Sequence, residues 1–262
     1  MLISILMPTF NSDSYISKAI DSLNCQSNKE EFETIFIDGL SNDRTVEIIK
    51  SECKTKYQLI KRQDLNMYDA INRGVDHARG KYLMFLNSDD RLYQTSVIED
   101  ICKILKNSNE DVCFCSDIYK LSFNQKSSKT YRYTAISYEE LLLSQHSTFL
   151  PHPGLIISKK NFYRLGGFDI SLGPASDYDF CLRVLKELSI LRLPIISHEF
   201  VRRKDSLSHV SSFEESRQNV LKRHGLYSDY NIFKRVYGFY KIWLRYKYFN
   251  IIQWLKSLIS CL

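Results

Sequence analysis

Four short polar stretches carry the residues in this 262-residue chain most suited to chemistry. The first is Asn87-Ser88-Asp89-Asp90, set directly after the apolar run Leu83-Met84-Phe85-Leu86. Adjacent carboxylates repel unless a positive charge sits between them. A hard divalent cation with oxygen ligands, Mg²⁺ or Mn²⁺, is the natural partner, because it bridges carboxylates to substrate phosphates. The alternative is that these residues only cap the segment that starts near Gln94. The second stretch is Asp38-Gly39-Leu40-Ser41-Asn42-Asp43, where Asp38 suits a ribose hydroxyl or a base N–H. Asp43 and Thr45 read as caps of the following helix. The third is Pro8-Thr9-Phe10-Asn11. The fourth is Ala175-Ser176-Asp177-Tyr178-Asp179-Phe180, at the start of an amphipathic helix. A carboxylate there either complements the helix dipole or acts as a general base on an attacking hydroxyl.

Alternating elements must position these stretches. Strand-like runs at Ile3–Met7, Glu33–Ile37, Gln58–Ile60 and Tyr82–Leu86 alternate with helix-like segments at Tyr15–Leu23, Thr45–Ile49 and Met67–Ala78. This β-α order predicts an α/β domain with a mostly parallel sheet and helices on both faces. Ligands of such sheets bind beyond the carboxyl ends of the strands. Three of the polar stretches are strand ends, so they are expected to converge on one rim.

Charge is distributed unevenly. The formal net charge is +6, from 36 basic and 30 acidic residues. Six of the basic residues (Lys234, Arg235, Lys241, Arg245, Lys247 and Lys256) follow Asp229, and no acidic residue does, so the remainder is balanced. A nucleic-acid-binding body is excluded on this ground. The stretch from Tyr230 also holds ten aromatic residues, including both tryptophans, Trp243 and Trp254. As one helix it would place Phe233, Val236, Tyr237, Tyr240, Leu244, Ile251, Leu255 and Leu258 on one face, with cations beside it. That pattern predicts a catalytic domain at 1–229 and a basic amphipathic tail at 230–262 lying in a headgroup layer. The alternative is packing on the domain or on a second subunit, so a homodimer stays open. No apolar stretch is long enough to span a membrane. Met1 to Pro8 reads as the first strand, not a signal peptide. The seven cysteines form no C-x-x-C pair and read as buried thiols in a reducing cytosol, Cys113 and Cys115 sharing one strand face.

From Ile3 to Arg183 the chain resembles the inverting family 2 glycosyltransferases, which have the GT-A fold. The matching segments are Pro8-Thr9-Phe10-Asn11, Ile37 to Thr45, Tyr68-Asp69-Ala70-Ile71-Asn72-Arg73-Gly74, the D-x-D-type turn Asn87 to Asp90, and Ser176-Asp177 in place of a Glu-Asp pair. Leu40 stands for a usual Gly, Asn87 for the first Asp of the D-x-D, and Ser176 for the Glu. The resemblance implies that Thr9, Asn11 and Asp38 hold the nucleotide, a uridine, and that Asp69 and Arg73 line the donor pocket. Asp89 would ligate Mn²⁺ or Mg²⁺, with Asn87, Ser88 and Asp90 beside the donor sugar. Asp177 would be the catalytic base, with Asp179 the alternative. His152, in Pro151-His152-Pro153-Gly154, together with Arg183 and His209, would meet a diphosphate or the acceptor.

The expected reaction moves a sugar from a UDP-sugar to a polyprenyl-diphosphate-linked saccharide. It would occur peripherally on the inner face of the bacterial cytoplasmic membrane, in O-antigen or capsule assembly. Two other classes are weaker. A sugar-1-phosphate nucleotidyltransferase would want a Gly-rich loop where Pro8 to Asn11 stands, and a non-catalytic binding scaffold would have no need of Asp38, Asp89, Asp90 and Asp177.

Overall fold

The computed structural model describes residues 1–121, 128–133, 136–144, 150–201 and 212–226, with Tyr240, Leu244 and Lys247. His209 and the rest of the proposed tail lie outside the described residues. Tyr240, Leu244 and Lys247 are helical and exposed.

Each expected element of the first half is present, within a few residues of its expected ends. Strands β1 (Ile3–Thr9), β2 (Phe32–Asp38), β3 (Tyr57–Lys61) and β4 (Tyr82–Phe85) alternate with helices α1 (Ile16–Asn24), α2 (Thr45–Glu52) and α3 (Met67–His77). These four strands pair in parallel in the order β3-β2-β1-β4. Helix α3 starts where it does because the Asn66 side chain accepts from the backbone N–H groups of Tyr68 and Asp69, both at 3.0 Å.

The second half is mixed, which the alternation of the first half did not predict. It contains β5 (Arg91–Leu92), α4 (Val97–Leu105), β6 (Val112–Leu121), β7 (Ser128–Tyr131), α5 (Tyr138–Ser144), β8 (Leu155–Ser158), α6 (Lys159–Arg164), α7 (Ser176–Glu187), β9 (Ser189–Val201) and α8 (Ser212–Arg223). Strand β8 enters antiparallel between β4 and β6, while β9 runs parallel to β6. The sheet thereby continues past β4 as β8-β6-β9-β5, with β7 added to β6.

Period-two alternation along the strands divides the core between the two faces. Leu6, Ile35, Ile37, Leu83 and Phe85 pack with α3, α5, α6 and α7. Ile3, Ile5, Met7, Phe36, Tyr82 and Met84 pack with α1, α2 and α4. Cys113 and Cys115 share the first face, as their spacing predicts. Cys25, Cys53, Cys102, Cys113, Cys115 and Cys181 are free thiols. No helix among the described residues is long and apolar enough to cross a membrane.

Candidate active site

The carboxyl ends of β1, β2, β3 and β4 open onto one cavity of about 1110 Å³. Thr9 and Phe10 line it from β1, Gly39 from β2, Gln63 to Tyr68 from the β3–α3 connection, and Asn87, Ser88 and Asp89 from β4. Asp177 closes it from the first turn of α7, and His152 from the single 3₁₀ turn before β8.

The two acids of the β4 turn face opposite ways. Asp89 lines the cavity. Asp90 is 1% exposed and turned inward, where it accepts from Asn87 Nδ2 at 2.9 Å and from the Val201 N–H at 3.1 Å. Burial, with Asp89 beside it, pushes the Asp90 carboxyl well above the usual carboxylate range. Among the described residues no three His, Cys, Asp or Glu side chains cluster tightly enough to hold a metal by themselves. The single cavity-facing carboxylate of Asp89 would fit a Mg²⁺- or Mn²⁺-type cation, which takes most of its ligands from substrate phosphates and water.

Asp38 is fully buried and bound within its own turn. Its Oδ1 accepts from the hydroxyls of Thr9 at 3.2 Å and Ser41 at 2.5 Å, and its Oδ2 accepts from the Ser41 N–H at 3.0 Å. The turn continues through Leu40 at φ 64°, left-handed backbone that strains any side chain. Asn11, also left-handed at φ 46°, ties this turn to β1. Its N–H donates to Ser41 Oγ and its Oδ1 accepts from the Asn42 N–H, both at 3.0 Å. Asp43 Oδ1 accepts from the Thr45 N–H at 2.9 Å just before α2, whose N-cap residue is Arg44 and has no side-chain cap bond.

Asp177 carries the most useful electrostatics. Burial raises its carboxyl, and the hydrogen bonds of the Tyr178 N–H (2.7 Å) and the Tyr68 hydroxyl only partly offset this, leaving it pushed up to about 6. A carboxyl raised to about 6 is mostly ionised at neutral pH yet accepts a proton more readily than an ordinary carboxylate, which suits a general base. The Tyr68 oxygen also lies 3.3 Å from the Pro174 carbonyl, so its single O–H is shared between that carbonyl and Asp177 as alternative acceptors.

The family 2 glycosyl transferase model matches residues 4–166, more than half of the chain and all four strand ends. This chain belongs to glycosyl transferase family 2. It is 27% identical over 186 residues to a PGL/p-HBAD biosynthesis glycosyltransferase of Mycobacterium tuberculosis, covering 70% of this chain and 69% of that one. It is 30% identical over 196 residues to an uncharacterized glycosyltransferase of Rickettsia prowazekii, covering 72% of this chain and 60% of that one. In fold it matches S. aureus TarS in complex with UDP-GlcNAc, with a TM-score of 0.69 at 18% identity over 94% of this chain and 72% of TarS. The mannosyltransferase PcManGT from Pyrobaculum calidifontis, in complex with GDP-Man and Mn²⁺, matches with a TM-score of 0.60 at 15% identity over 85% of this chain and 62% of that one. The fold is thus GT-A, a mixed α/β sheet with flanking helices.

In the glycosyltransferase, Thr9, Asn87, Ser88, Asp89, His152 and Asp177 meet on the cavity wall, whereas Asp38, Asn11, Asp69, Arg73, Asp90, Asp179 and Arg183 are not among its lining residues. Burial opposes ionisation of Asp69, but bonds from the Leu65 N–H at 3.1 Å and from Arg73 Nε at 2.8 Å outweigh it and hold the carboxyl low. Asp179 has no exposed side-chain surface and pairs with Arg183 and His224. Arg183 also donates to the carbonyls of Gly167, at 2.8 Å, and Leu165. His152 lies between Phe85 and Phe168, with ring centroids 4.7 and 5.1 Å away, and burial followed by nearby His198 pushes it down to about 3. It is a neutral imidazole at any physiological pH.

The sequence reading missed Tyr68 as a partner of Asp177 and Phe10 as a 62%-exposed apolar wall. It also missed the far end of the cavity, formed by Ile118, Lys120, Tyr131, Phe200 and Phe213. The Lys120 ammonium sits 5.3 Å above the Tyr131 ring and 5.4 Å from the Phe200 ring. Tyr68 and Phe10 lay inside recognised segments and could have been singled out there. The far end comes from β6, β7, β9 and α8, whose convergence has no local signature.

Proposed function

We propose that this transferase moves one sugar from a UDP-sugar to a saccharide hydroxyl in a single displacement with inversion. The observation that carries the reading is that Thr9, Asn87 to Asp89 and Asp177, from three separate parts of the chain, line one cavity. Asp177 takes the proton from the acceptor hydroxyl as that oxygen bonds to the anomeric carbon. The bond from that carbon to the diphosphate breaks on the opposite side, and UDP leaves with the electron pair. Asp89 would hold Mn²⁺ or Mg²⁺, which when bound would supply positive charge to offset that of the departing diphosphate. Thr9 and Phe10 take the nucleoside side. Asp38 and Asn11 act by shaping the turn, Asp69 and Arg73 by bracing the start of α3, and Asp90 by aiming Asn87. The UDP complex of TarS supports the donor class, and the Mn²⁺ complex of PcManGT supports the metal.

The finer reading is a lipid-linked acceptor in bacterial surface-polysaccharide assembly. In it residues 1–229 catalyse, and 230–262 rest on the inner face of the cytoplasmic membrane. It is supported by the acid-free charge excess after Asp229 and by the far end of the cavity, where aromatic rings surround the Lys120 ammonium. The test is turnover of labelled UDP-sugars with and without Mn²⁺ against a synthetic lipid-diphosphate saccharide. Transfer that requires the metal and the lipid acceptor is expected. Equal transfer in EDTA removes the metal, and equal transfer to the free saccharide removes the lipid.

A further inference from the structure

We propose that His224 is a positioning residue for the catalytic base, holding Asp179 and through it the first turn of α7 that carries Asp177. This rests on the reading of Asp177 as the base. His224 stands one residue past the end of α8, beyond the segment matched to the family, and its ring is not part of the cavity wall.

The connection runs through fully engaged polar atoms. Asp179 Oδ1 lies 2.9 Å from His224 Nε2, and Asp179 Oδ2 accepts from Arg183 Nε at 2.8 Å. The other ring nitrogen of His224, Nδ1, lies 3.0 Å from the Tyr138 hydroxyl. A neutral imidazole satisfies both ends, with Nε2–H donating to Asp179 and Nδ1 accepting from Tyr138 O–H. Arg223 pairs with Asp169 and reaches within 3.9 Å of Asp179. The Asp169 carbonyl accepts from Ser176 Oγ at 2.7 Å, and Ser176 is the first residue of α7. Helix α8 therefore grips both sides of the turn that presents Asp177. Val220 and Leu221 of α8 pack into the same apolar cluster as Phe180 and Leu182 of α7, and the polar contacts at the helix ends add direction to that non-directional packing. A base displaced by about 1 Å loses on the order of a hundredfold in rate while the donor still binds.

The test uses the full chain and the variants His224→Ala, His224→Gln and Asp177→Asn. Three quantities are read: UDP affinity by calorimetry with Mn²⁺, kcat for UDP release from UDP-GlcNAc, UDP-glucose and UDP-galactose, and the titration of the Asp177 carboxyl by ¹³C NMR. The Asp177 signal is assigned by its loss in Asp177→Asn. In His224→Ala, UDP affinity should stay within about twofold while kcat falls about tenfold or more. The Asp177 titration should move towards the ordinary carboxylate range as its turn loosens. His224→Gln, whose amide N–H also reaches a carboxylate, should recover most of kcat. An unmoved titration in His224→Ala, or equal loss of UDP affinity and kcat without recovery in His224→Gln, overturns the proposal. The titration is read whether or not any of the three donors turns over. Undiminished transfer by Asp177→Asn overturns the base reading instead.

Discussion

Thr9 and Asp38 are register partners at the carboxyl ends of neighbouring parallel strands, and the Thr9 hydroxyl lies 3.2 Å from the Asp38 carboxylate. That bond joins the wall of the cavity to the turn behind it. Thr9→Val keeps the shape but leaves a buried carboxylate short of a donor. It is expected to cost about 1–3 kcal/mol in urea unfolding. In UDP-release kinetics it should raise the donor KM more than it lowers kcat.

Leu40 occupies left-handed backbone at φ 64° while its side chain is 49% exposed. Leu40→Gly should relieve the strain and stabilise the protein by about 1 kcal/mol, read as a rise in Tm. A fall in Tm would show that contacts of the leucine side chain exceed the strain.

With Asp177 as the proposed base, its raised carboxyl should set the acid limb of activity. A base must be ionised, so kcat/KM should climb as pH rises through about 6. The Tyr68 hydroxyl lowers the Asp177 pKa, so Tyr68→Phe should move that limb to higher pH. A pH–rate profile of both proteins checks the direction. Asp177→Asn should lower kcat by about 10²–10⁴-fold.

Asp177 and Asp179 should affect stability with opposite signs. Burial raises the Asp177 pKa, so ionising it costs native stability increasingly as pH climbs from the unfolded value through about 6. Asp177→Asn should therefore be no less stable than wild type at pH 8, with its advantage gone at pH 4. Asp179 is held below the ordinary range; burial works against this, and His224 and Arg183 prevail. Its contribution is present above the unfolded pKa and lost as pH falls through the lowered native value. Asp179→Asn should cost about 3–5 kcal/mol at pH 7 by leaving Arg183 unpaired, read by urea unfolding across pH.

The inward Asp90 and the cavity-facing Asp89 separate the metal reading from folding. Asp89→Ala should lose Mn²⁺ binding in the presence of UDP, read by calorimetry, and lose transfer, while its Tm stays near that of wild type. An Asp89→Ala protein that still binds Mn²⁺ with wild-type affinity would place the cation elsewhere.

The pattern of apolar runs determined the four parallel strands and three helices of the first half by itself. Period two in Ile3 to Met7 and period 3.6 in Ile16, Ile20 and Leu23 are local signals, and the β-α alternation leaves few ways to assemble them. The same alternation located the rim, because in such a sheet the strand ends share one side. Four of the five segments that carry the family resemblance lie in that half.

Only the tertiary structure decided which acids face the cavity. Asp89 and Asp90 are neighbours, as are Asp177 and Asp179 two residues apart on one helical turn, and local sequence treats the members of each pair alike. What separates them is distant: the Val201 N–H from β9 turns Asp90 inward, and His224 beyond α8 takes Asp179. The antiparallel entry of β8 beside β4 is likewise a long-range pairing, with Tyr82 set against Ser158. Strand periodicity reports which residues are buried, and it carries no information about which partner, in which direction, buries them.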